Sequence, residues 1–252
     1  MRVSLVHPTG SNFVPGKKDV TAVANRMVPT GILSIAAYLE KSGHEVCVYD
    51  CLGPYASVVL KDKVCDILEF NPELIGFSAT TSGFLDAYDT ASAIKAIRPD
   101  IPIVFGGVHV SSMGGVLLEK FPLIDYLVMG EGEAVIDELV SGESPQRIDG
   151  LVWRNGEEIV TNPPREKITD LDSLPFPAYE KITGFPDKYR LPPFSYRKVP
   201  GASISTSRGC VYRCDYCDRS VFKKGFRYNS ADYTFEHLAY LRKRFGVRHV
   251  NI

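Results

Sequence analysis

Short apolar runs alternate with longer amphipathic segments along the first 140 residues of the chain. The apolar runs predict buried strands, whereas the longer segments place their apolar residues at helical spacing. The predicted strands are Val3–Val6, Val46–Tyr49, Leu74–Ser78, Ile103–Phe105 and Tyr126–Met129. The predicted helices lie near residues 31–42, 58–70, 84–97, 112–120 and 132–140. Five successive βα units predict an α/β fold, in which a doubly wound parallel sheet carries helices on both faces.

Small residues follow three of these predicted strands. The loops read Ser78-Ala-Thr-Thr-Ser82, Gly106-Gly-Val-His109 and Gly130-Glu-Gly-Glu133. In this architecture ligands bind beyond the carboxyl ends of the strands, and glycine lets a backbone approach a ligand closely. The three loops together predict a ligand site at that edge. One such loop alone is weaker evidence, because many glycine-rich turns only allow the backbone to change direction. No dinucleotide fingerprint follows the first strand and no P-loop motif occurs, which disfavours dinucleotides and nucleoside triphosphates.

A hairpin, a proline-rich stretch and one further strand–helix–strand unit follow. Residues 150–154 and 158–161 flank Asn155-Gly156, a favoured hairpin turn. Prolines then recur up to residue 200, which is typical of an extended connection. A short strand over residues 201–206, a helix over Asp232–Phe245 and a strand over Arg248–Ile252 come last. We therefore divide the chain into residues 1–145, a hairpin and linker at 146–200, and a last region at 201–252.

Composition and charge narrow the function classes. The chain has 252 residues, of which 44% are hydrophobic and 23% are charged, as in ordinary globular domains. Its 29 Lys and Arg balance 30 Asp and Glu, so the net charge of −1 gives no general attraction to nucleic acid or to an acidic membrane. The first residues do not resemble a signal peptide, and no segment approaches the ~20 apolar residues that span a bilayer. We expect a cytoplasmic protein without a membrane partner.

Three of the six cysteines lie in the segment SRGCVYRCDYC, at Cys210, Cys214 and Cys217. This spacing also fits one face of a helix, but the preceding short strand and the break at residues 207–209 predict a loop. Clustered cysteines in a reducing compartment indicate metal ligands. Three thiolates can hold three irons of a [4Fe–4S] cluster and leave the fourth iron open. The remaining cysteines, Cys47, Cys51 and Cys65, are predicted to be packing residues.

Zinc is the alternative metal for this segment. A tetrahedral zinc site needs a fourth ligand, for which Asp215, Asp218 and His237 are the candidates. The cluster is favoured because zinc sites usually pair a C-x2-C unit with a second pair of ligands elsewhere. Basic residues around the segment are expected to form a solvated face or to balance the charge of the cluster; they are Arg208, Arg213, Arg219, Lys223, Lys224 and Arg227.

Two sets of motifs resemble one known family. Pro29-Thr-Gly-Ile32, Ala36-Ala-Tyr-Leu-Glu40, Gly43-His-Glu-Val46, Asp50 and the two glycine loops resemble the cobalamin-binding domain in front of radical S-adenosylmethionine enzymes. The C-x3-C-x2-C segment resembles the cluster motif of the same enzymes. The layout is similar to the branch that contains the anaerobic magnesium-protoporphyrin IX monomethyl ester cyclase. The resemblance covers nearly the whole chain.

The resemblance implies three cofactors: cobalamin, a [4Fe–4S] cluster on Cys210, Cys214 and Cys217, and S-adenosylmethionine. It places cobalamin in a Rossmann-like domain at residues 1–145 and makes residues 201–252 the first part of a partial (β/α) barrel, so that the chain is expected to be the front portion of a longer enzyme. It places Tyr216 beside the adenine. The implied cobalamin contacts are Ser78, Thr80, Thr81, Ser82, Gly106, Gly107, His109, Gly130, Glu131 and Gly132.

The implied activity is reductive cleavage of S-adenosylmethionine for methyl transfer, rearrangement or cyclisation. The substrate is expected to be a small molecule rather than a nucleic acid, and the electron donor a protein such as flavodoxin or ferredoxin. One alternative is a non-catalytic cobalamin- or metal-binding module. The other is a radical methylthiotransferase, a family whose N-terminal domain holds a second cluster on three cysteines. The spacing of Cys47, Cys51 and Cys65 does not match that set.

One histidine motif is incomplete. The segment from His7 to Gly10 resembles half of the D-x-H-x-x-G loop that supplies an axial histidine in some cobalamin proteins. Leu5 occupies the position of the aspartate, and a metal-ligating histidine normally pairs with a carboxylate. We therefore expect cobalamin to bind without a protein imidazole on cobalt.

Overall fold

The five predicted strands form the parallel part of one seven-stranded sheet. The computed structural model describes residues 1–9, 27–54, 56–57, 59–189 and 198–252. The parallel strands are β1 (Arg2–His7), β2 (Glu45–Asp50), β3 (Leu74–Ser78), β4 (Ile103–Gly106) and β5 (Tyr126–Val128). They lie in the order β2-β1-β3-β4-β5. The chain therefore adds β2 on one side of β1 and the later strands on the other side, as in doubly wound folds. The predicted doubly wound parallel sheet is confirmed.

Helices cover both faces of this sheet. They are α1 (Thr30–Lys41), α2 (Leu60–Glu69), α3 (Phe84–Ile97), α4 (Val108–Met113), α5 (Val116–Lys120) and α6 (Glu133–Val140). The strands bury side chains on both faces, because Val3 and Leu5 of β1 pack toward α1 and α6 while Val6 packs toward α2 and α3. The single helix predicted at 112–120 is two short helices instead, since Gly114 turns the backbone to a φ of 61° between them.

The hairpin extends the main sheet rather than belonging to the linker. Its strands are β6 (Leu151–Asn155) and β7 (Glu158–Thr161), and β6 pairs antiparallel with β5. The physical reason is that β5 would otherwise leave an edge of unpaired backbone groups, and the buried Leu151 and Val152 complete the two cores there. The sheet domain therefore continues past residue 145.

Part of the proline-rich stretch is packed core and not an extended connection. Leu171, Tyr179 and Ile182 are buried, and the amide of Ala178 donates to the Leu33 carbonyl of α1 at 3.1 Å. The hydroxyl of Tyr179 hydrogen-bonds to Nε2 of His237 at 3.1 Å. Burial lowers the pKa of His237 to about 4, so this imidazole is neutral at pH 7. Pro192 and Pro193 lie outside the described residues.

The last region contains two further small sheets and one helix. Strands β8 (Gly201–Ser203) and β11 (His249–Asn251) pair in parallel across helix α7 (Ala231–Phe245), which confirms the predicted strand–helix–strand unit. Strands β9 (Ser207–Cys210) and β10 (Gly225–Tyr228) pair antiparallel. The break predicted at residues 207–209 was wrong in position: residues 204–206 separate β8 from β9, whereas residues 207–210 form a strand because they pair with β10. In the described parts of the chain, every helix is too short or too polar to cross a bilayer.

Candidate functional site

A cavity of about 230 Å³ opens at the carboxyl edge of the parallel strands. Leu5, Gly76, Val104 and Val128 form an apolar slot along the sheet beneath it. Six residues predicted from the sequence line this cavity: Ser78, Gly106, Gly107, Gly130, Glu131 and Gly132. The structure therefore brings the glycine loops of β4 and β5 to one place, as the parallel sheet requires.

Gly107 allows the loop after β4 to contact the loop after β3. Its φ is 98°, and a Cβ atom there would lie 2.8 Å from the carbonyl oxygen of Ala79. The amide of Ala79 donates to the Gly106 carbonyl at 2.9 Å, and the amide of His109 donates back to Ala79 at 3.3 Å. Gly76 acts similarly deeper in the slot, where a Cβ atom would lie 3.0 Å from Cδ2 of Leu5. Both glycines are therefore required by packing within the protein, and this packing brings the loop backbones to the cavity wall, where a ligand such as cobalamin would meet them.

The other residues predicted around cobalamin, Thr80, Thr81, Ser82 and His109, do not line the cavity. Thr80, Thr81 and Ser82 are exposed. Nδ1 of His109 lies 3.1 Å from the Thr81 hydroxyl, and the ring packs against Phe84 with 4.6 Å between centroids. Burial lowers the pKa of His109, which favours a neutral ring.

Residues 210–224, which we call the cysteine loop, run from Cys210, the last residue of β9, to the start of β10. Cys210, Cys214 and Cys217 are all exposed, and no group of three metal-binding side chains is already gathered among the described residues. The thiols are accessible, and binding of one cluster requires the loop to bring them together. Tyr216 is 92% exposed, which leaves its ring free of packing contacts within the protein fold.

In this arrangement the zinc alternative loses one of its candidates for the fourth ligand. His237 is buried on α7, where its ring stacks on Phe176 with 4.6 Å between centroids. Asp218 accepts a hydrogen bond from the amide of Ser220 at 2.7 Å, and this bond helps to lower the pKa of its carboxyl. His237 therefore has partners of its own in the core, and among the described residues it forms no metal-binding group with the three thiols.

The cysteine loop lies directly against the glycine loops. The Ser220 hydroxyl is 3.5 Å from the Val108 carbonyl, and the Val221 carbonyl lies 3.6 Å from the place of a Cβ atom at Gly130. Val221 and Phe222 also line the cavity. The two regions for which the sequence predicts cofactors thus border one shared cavity.

Four charged side chains beneath the cysteine loop form a buried charge cluster. Nη1 of Arg208 lies 2.7 Å from Glu131, Nη2 of Arg208 lies 2.6 Å from Glu133, and Nη1 of Arg227 lies 2.8 Å from Glu131. The prediction that Arg208 and Arg227 form a solvated face was wrong, because their side chains are only 16% and 13% exposed. Glu131 does reach the cavity wall, but its carboxylate is taken up by these arginines.

Sequence reasoning missed this cluster. The signal was the excess of acidic residues in Gly130-Glu-Gly-Glu133 together with the arginine two positions before Cys210. Burial raises the pKa of Glu131, but the hydrogen bonds from Arg227 and Arg208 outweigh burial and leave that pKa below its usual value. Glu131 is therefore ionised near neutral pH.

His7 has the carboxylate partner that its sequence motif lacks. Its Nδ1 lies 2.8 Å from Oδ1 of Asp50, and the hydroxyl of Tyr189 donates to Oδ2 of Asp50 at 2.7 Å. The expectation that His7 lacks a carboxylate partner was therefore wrong, since β2 places Asp50 opposite His7 in the register. Asp50 and Tyr189 line a second cavity of about 320 Å³, separate from the cavity of the glycine loops.

Comparisons with known proteins agree with this layout. A family model for the B12 binding domain matches residues 16–140. The uncharacterized methyltransferase PH0819 of Pyrococcus horikoshii is 31% identical over 99% of this chain and 52% of its own length. The anaerobic magnesium-protoporphyrin IX monomethyl ester cyclase of Synechocystis is 29% identical over 98% of this chain and 47% of its own length. The chain thus spans about half the length of the curated relatives it matches.

One solved structure shares the fold along the chain. The radical S-adenosylmethionine methyltransferase TsrM from Kitasatospora setae, solved with cobalamin and a [4Fe-4S] cluster bound, matches with a TM-score of 0.66 and 21% identity. The match covers 99% of this chain and 47% of that protein. At this identity the likeness supports the fold alone: a mostly parallel sheet followed by a strand–helix–strand unit.

Proposed function

We propose that the chain binds both cobalamin and a [4Fe–4S] cluster, because residues 16–140 match the B12 binding domain and the chain is similar along its length to an uncharacterized methyltransferase and to a magnesium-protoporphyrin cyclase. We further propose that it serves reductive cleavage of S-adenosylmethionine for methyl transfer, rearrangement or cyclisation of a small molecule. The observation that carries the proposal is the cavity shared by the glycine loops and the cysteine loop.

In this proposal, residues on one side of the cavity bind cobalamin and residues on the other side bind the cluster. The loops that contain Gly107 and Gly130 line the cavity on the side proposed for the corrin, and the apolar slot of Leu5, Gly76, Val104 and Val128 is the place proposed for the heterocycle attached to it. Cys210, Cys214 and Cys217 would hold the cluster, which supplies one-electron chemistry when bound. The exposed ring of Tyr216 is available to cover an adenine beside it.

The proposed setting is the cytoplasm, with flavodoxin or ferredoxin as electron donor. Reduced thiols at three exposed cysteines suit a reducing compartment. The net charge of −1 favours a small-molecule substrate over a nucleic acid. A radical methylthiotransferase is disfavoured because Cys51 is buried, and burial raises the pKa of its thiol to about 12, which opposes the thiolate that binds iron.

The first test is binding of hydroxocobalamin to the full chain by equilibrium dialysis. We expect retention at tens of micromolar protein, and we expect Gly107→Ala to weaken binding by roughly tenfold or more, since relieving a backbone overlap costs about 1–3 kcal/mol. Gly142→Ala is the matched control, because Gly142 has a similar φ of 87° and open space around it. Wild-type protein that retains no cobalamin would refute the proposal.

A second test concerns the ligand on cobalt. We expect His7→Ala to leave the visible spectrum of bound cobalamin unchanged, because Asp50, the carboxylate that binds His7, lines the second cavity and not that of the glycine loops. The spectrum of cob(II)alamin by electron paramagnetic resonance gives an independent readout, since an axial nitrogen splits its lines. Loss of such splitting in His7→Ala would show that His7 binds cobalt through the ring that Asp50 orients.

A further inference from the structure

The charge cluster ties the cysteine loop to the sheet domain. Arg208 lies on β9, two residues before Cys210, and Arg227 faces it in the register of β10. Their partners come from the other side of the cavity: Glu131 from the turn after β5, and Glu133 from the first residue of α6. Both strands that flank the cysteine loop are thus held by one acidic turn.

The cluster is almost fully enclosed. The Glu131 and Glu133 side chains are 6% and 4% exposed, and the Ser34 hydroxyl of α1 donates a further hydrogen bond to Glu133 at 2.9 Å. Two arginines balance two glutamates, so the group as a whole carries no net charge. Enclosed charges are stable only when their partners stay in place, because water is not there to replace them.

We propose that Arg208, held between Glu131 and Glu133, is a positioning residue that fixes the cysteine loop over the cavity. Apolar side chains of the same size could stabilise this contact equally well, but they would accept several arrangements. The guanidinium is a rigid fork, and here its two ends bind two different carboxylates, so only one placement of β9 satisfies both.

This placement has a direct consequence for the site. The inference rests on the proposed function, because the position of the loop matters to chemistry only if its cysteines hold the cluster. Arg208, Glu131 and Glu133 also line the cavity themselves. A shift of Arg208 would therefore move Cys210 relative to the glycine loops, although all three thiols would remain in the chain.

The test measures where the loop lies, without any cofactor. Nitroxide labels are placed on Cys65 of α2 and on Cys214, both of which are exposed, in a full chain whose Cys47, Cys210 and Cys217 are replaced by alanine. Double electron–electron resonance then gives the distribution of distances between the labels. We expect Arg208→Lys to shift and broaden this distribution, because one ammonium cannot reach both carboxylates in the geometry of the fork.

Arg165→Lys is the matched control. Arg165 forms a two-point ion pair with Glu138 of α6, and this pair does not contact the cysteine loop. We expect the control to keep the wild-type distribution. Glu133→Gln provides a milder second variant if Arg208→Lys does not fold, and we expect a smaller shift in the same direction. An unchanged distribution in the folded variants would overturn the inference.

The iron content of the chain separates this inference from the proposed function. After anaerobic reconstitution with the native cysteines, we expect Arg208→Lys to bind as much iron as the wild type, because its thiolates are intact. A wild type that binds no iron refutes the proposed function, whereas the distance measurement still decides whether Arg208 positions the loop.

Discussion

Replacing any one of Cys210, Cys214 or Cys217 by alanine is expected to abolish the broad visible absorption and most of the iron of the reconstituted chain. In the proposed site each of the three thiolates binds one iron of the cluster, and the two that remain in a single variant do not retain it. Each variant should fold like the wild type, since all three side chains are exposed and take part in no core packing. The measurements are iron and sulfide content together with the absorption spectrum.

The other cysteines provide matched controls. Cys47→Ala, Cys51→Ala and Cys65→Ala should keep both the iron and the absorption, because these residues lie on β2, directly after it and on α2, away from the cysteine loop. Tight zinc without iron in the wild type, or iron retained in all three loop variants, would contradict the cluster and the proposed enzyme with it.

Gly209→Ala is expected to separate β9 from β10 and to lose the iron as well. Gly209 has a φ of 91°, and a Cβ atom there would overlap the carbonyl oxygen of Gly225 on the paired strand. Backbone cannot move away as a flexible side chain can, so we expect a loss of about 3 kcal/mol or more in the free energy of unfolding. Denaturant titration and iron content measure the two effects.

Gly43→Ala is the control for this variant. Gly43 has nearly the same φ, 88°, but a Cβ atom there would meet nothing within 4 Å. It should therefore show only the cost of a left-handed conformation, about 1–2 kcal/mol, with the iron retained. Wild-type stability and iron in Gly209→Ala would mean that the pairing of β9 with β10 does not support the cysteine loop.

Local patterns in the sequence determined the parallel sheet and most of its helices. The strands at Val3–Val6 and Leu74–Ser78 follow from short apolar runs. A strand that is buried on both faces is apolar at successive positions, so its own residues are enough to predict it. The glycine loops follow as well, since every parallel strand ends at the same edge. The cysteine motif needed only its own spacing.

Only the tertiary structure decided how these parts meet. Asp50 reaches His7, β6 pairs with β5, and Arg208 binds Glu131 across 77 residues of chain. Each of these contacts depends on which surfaces are buried together, and one-dimensional periodicity carries no information about that. The sequence by itself therefore predicted two cofactor motifs, whereas the packing of the last region against the sheet decided that the loop carrying the cysteines borders the cavity of the glycine loops.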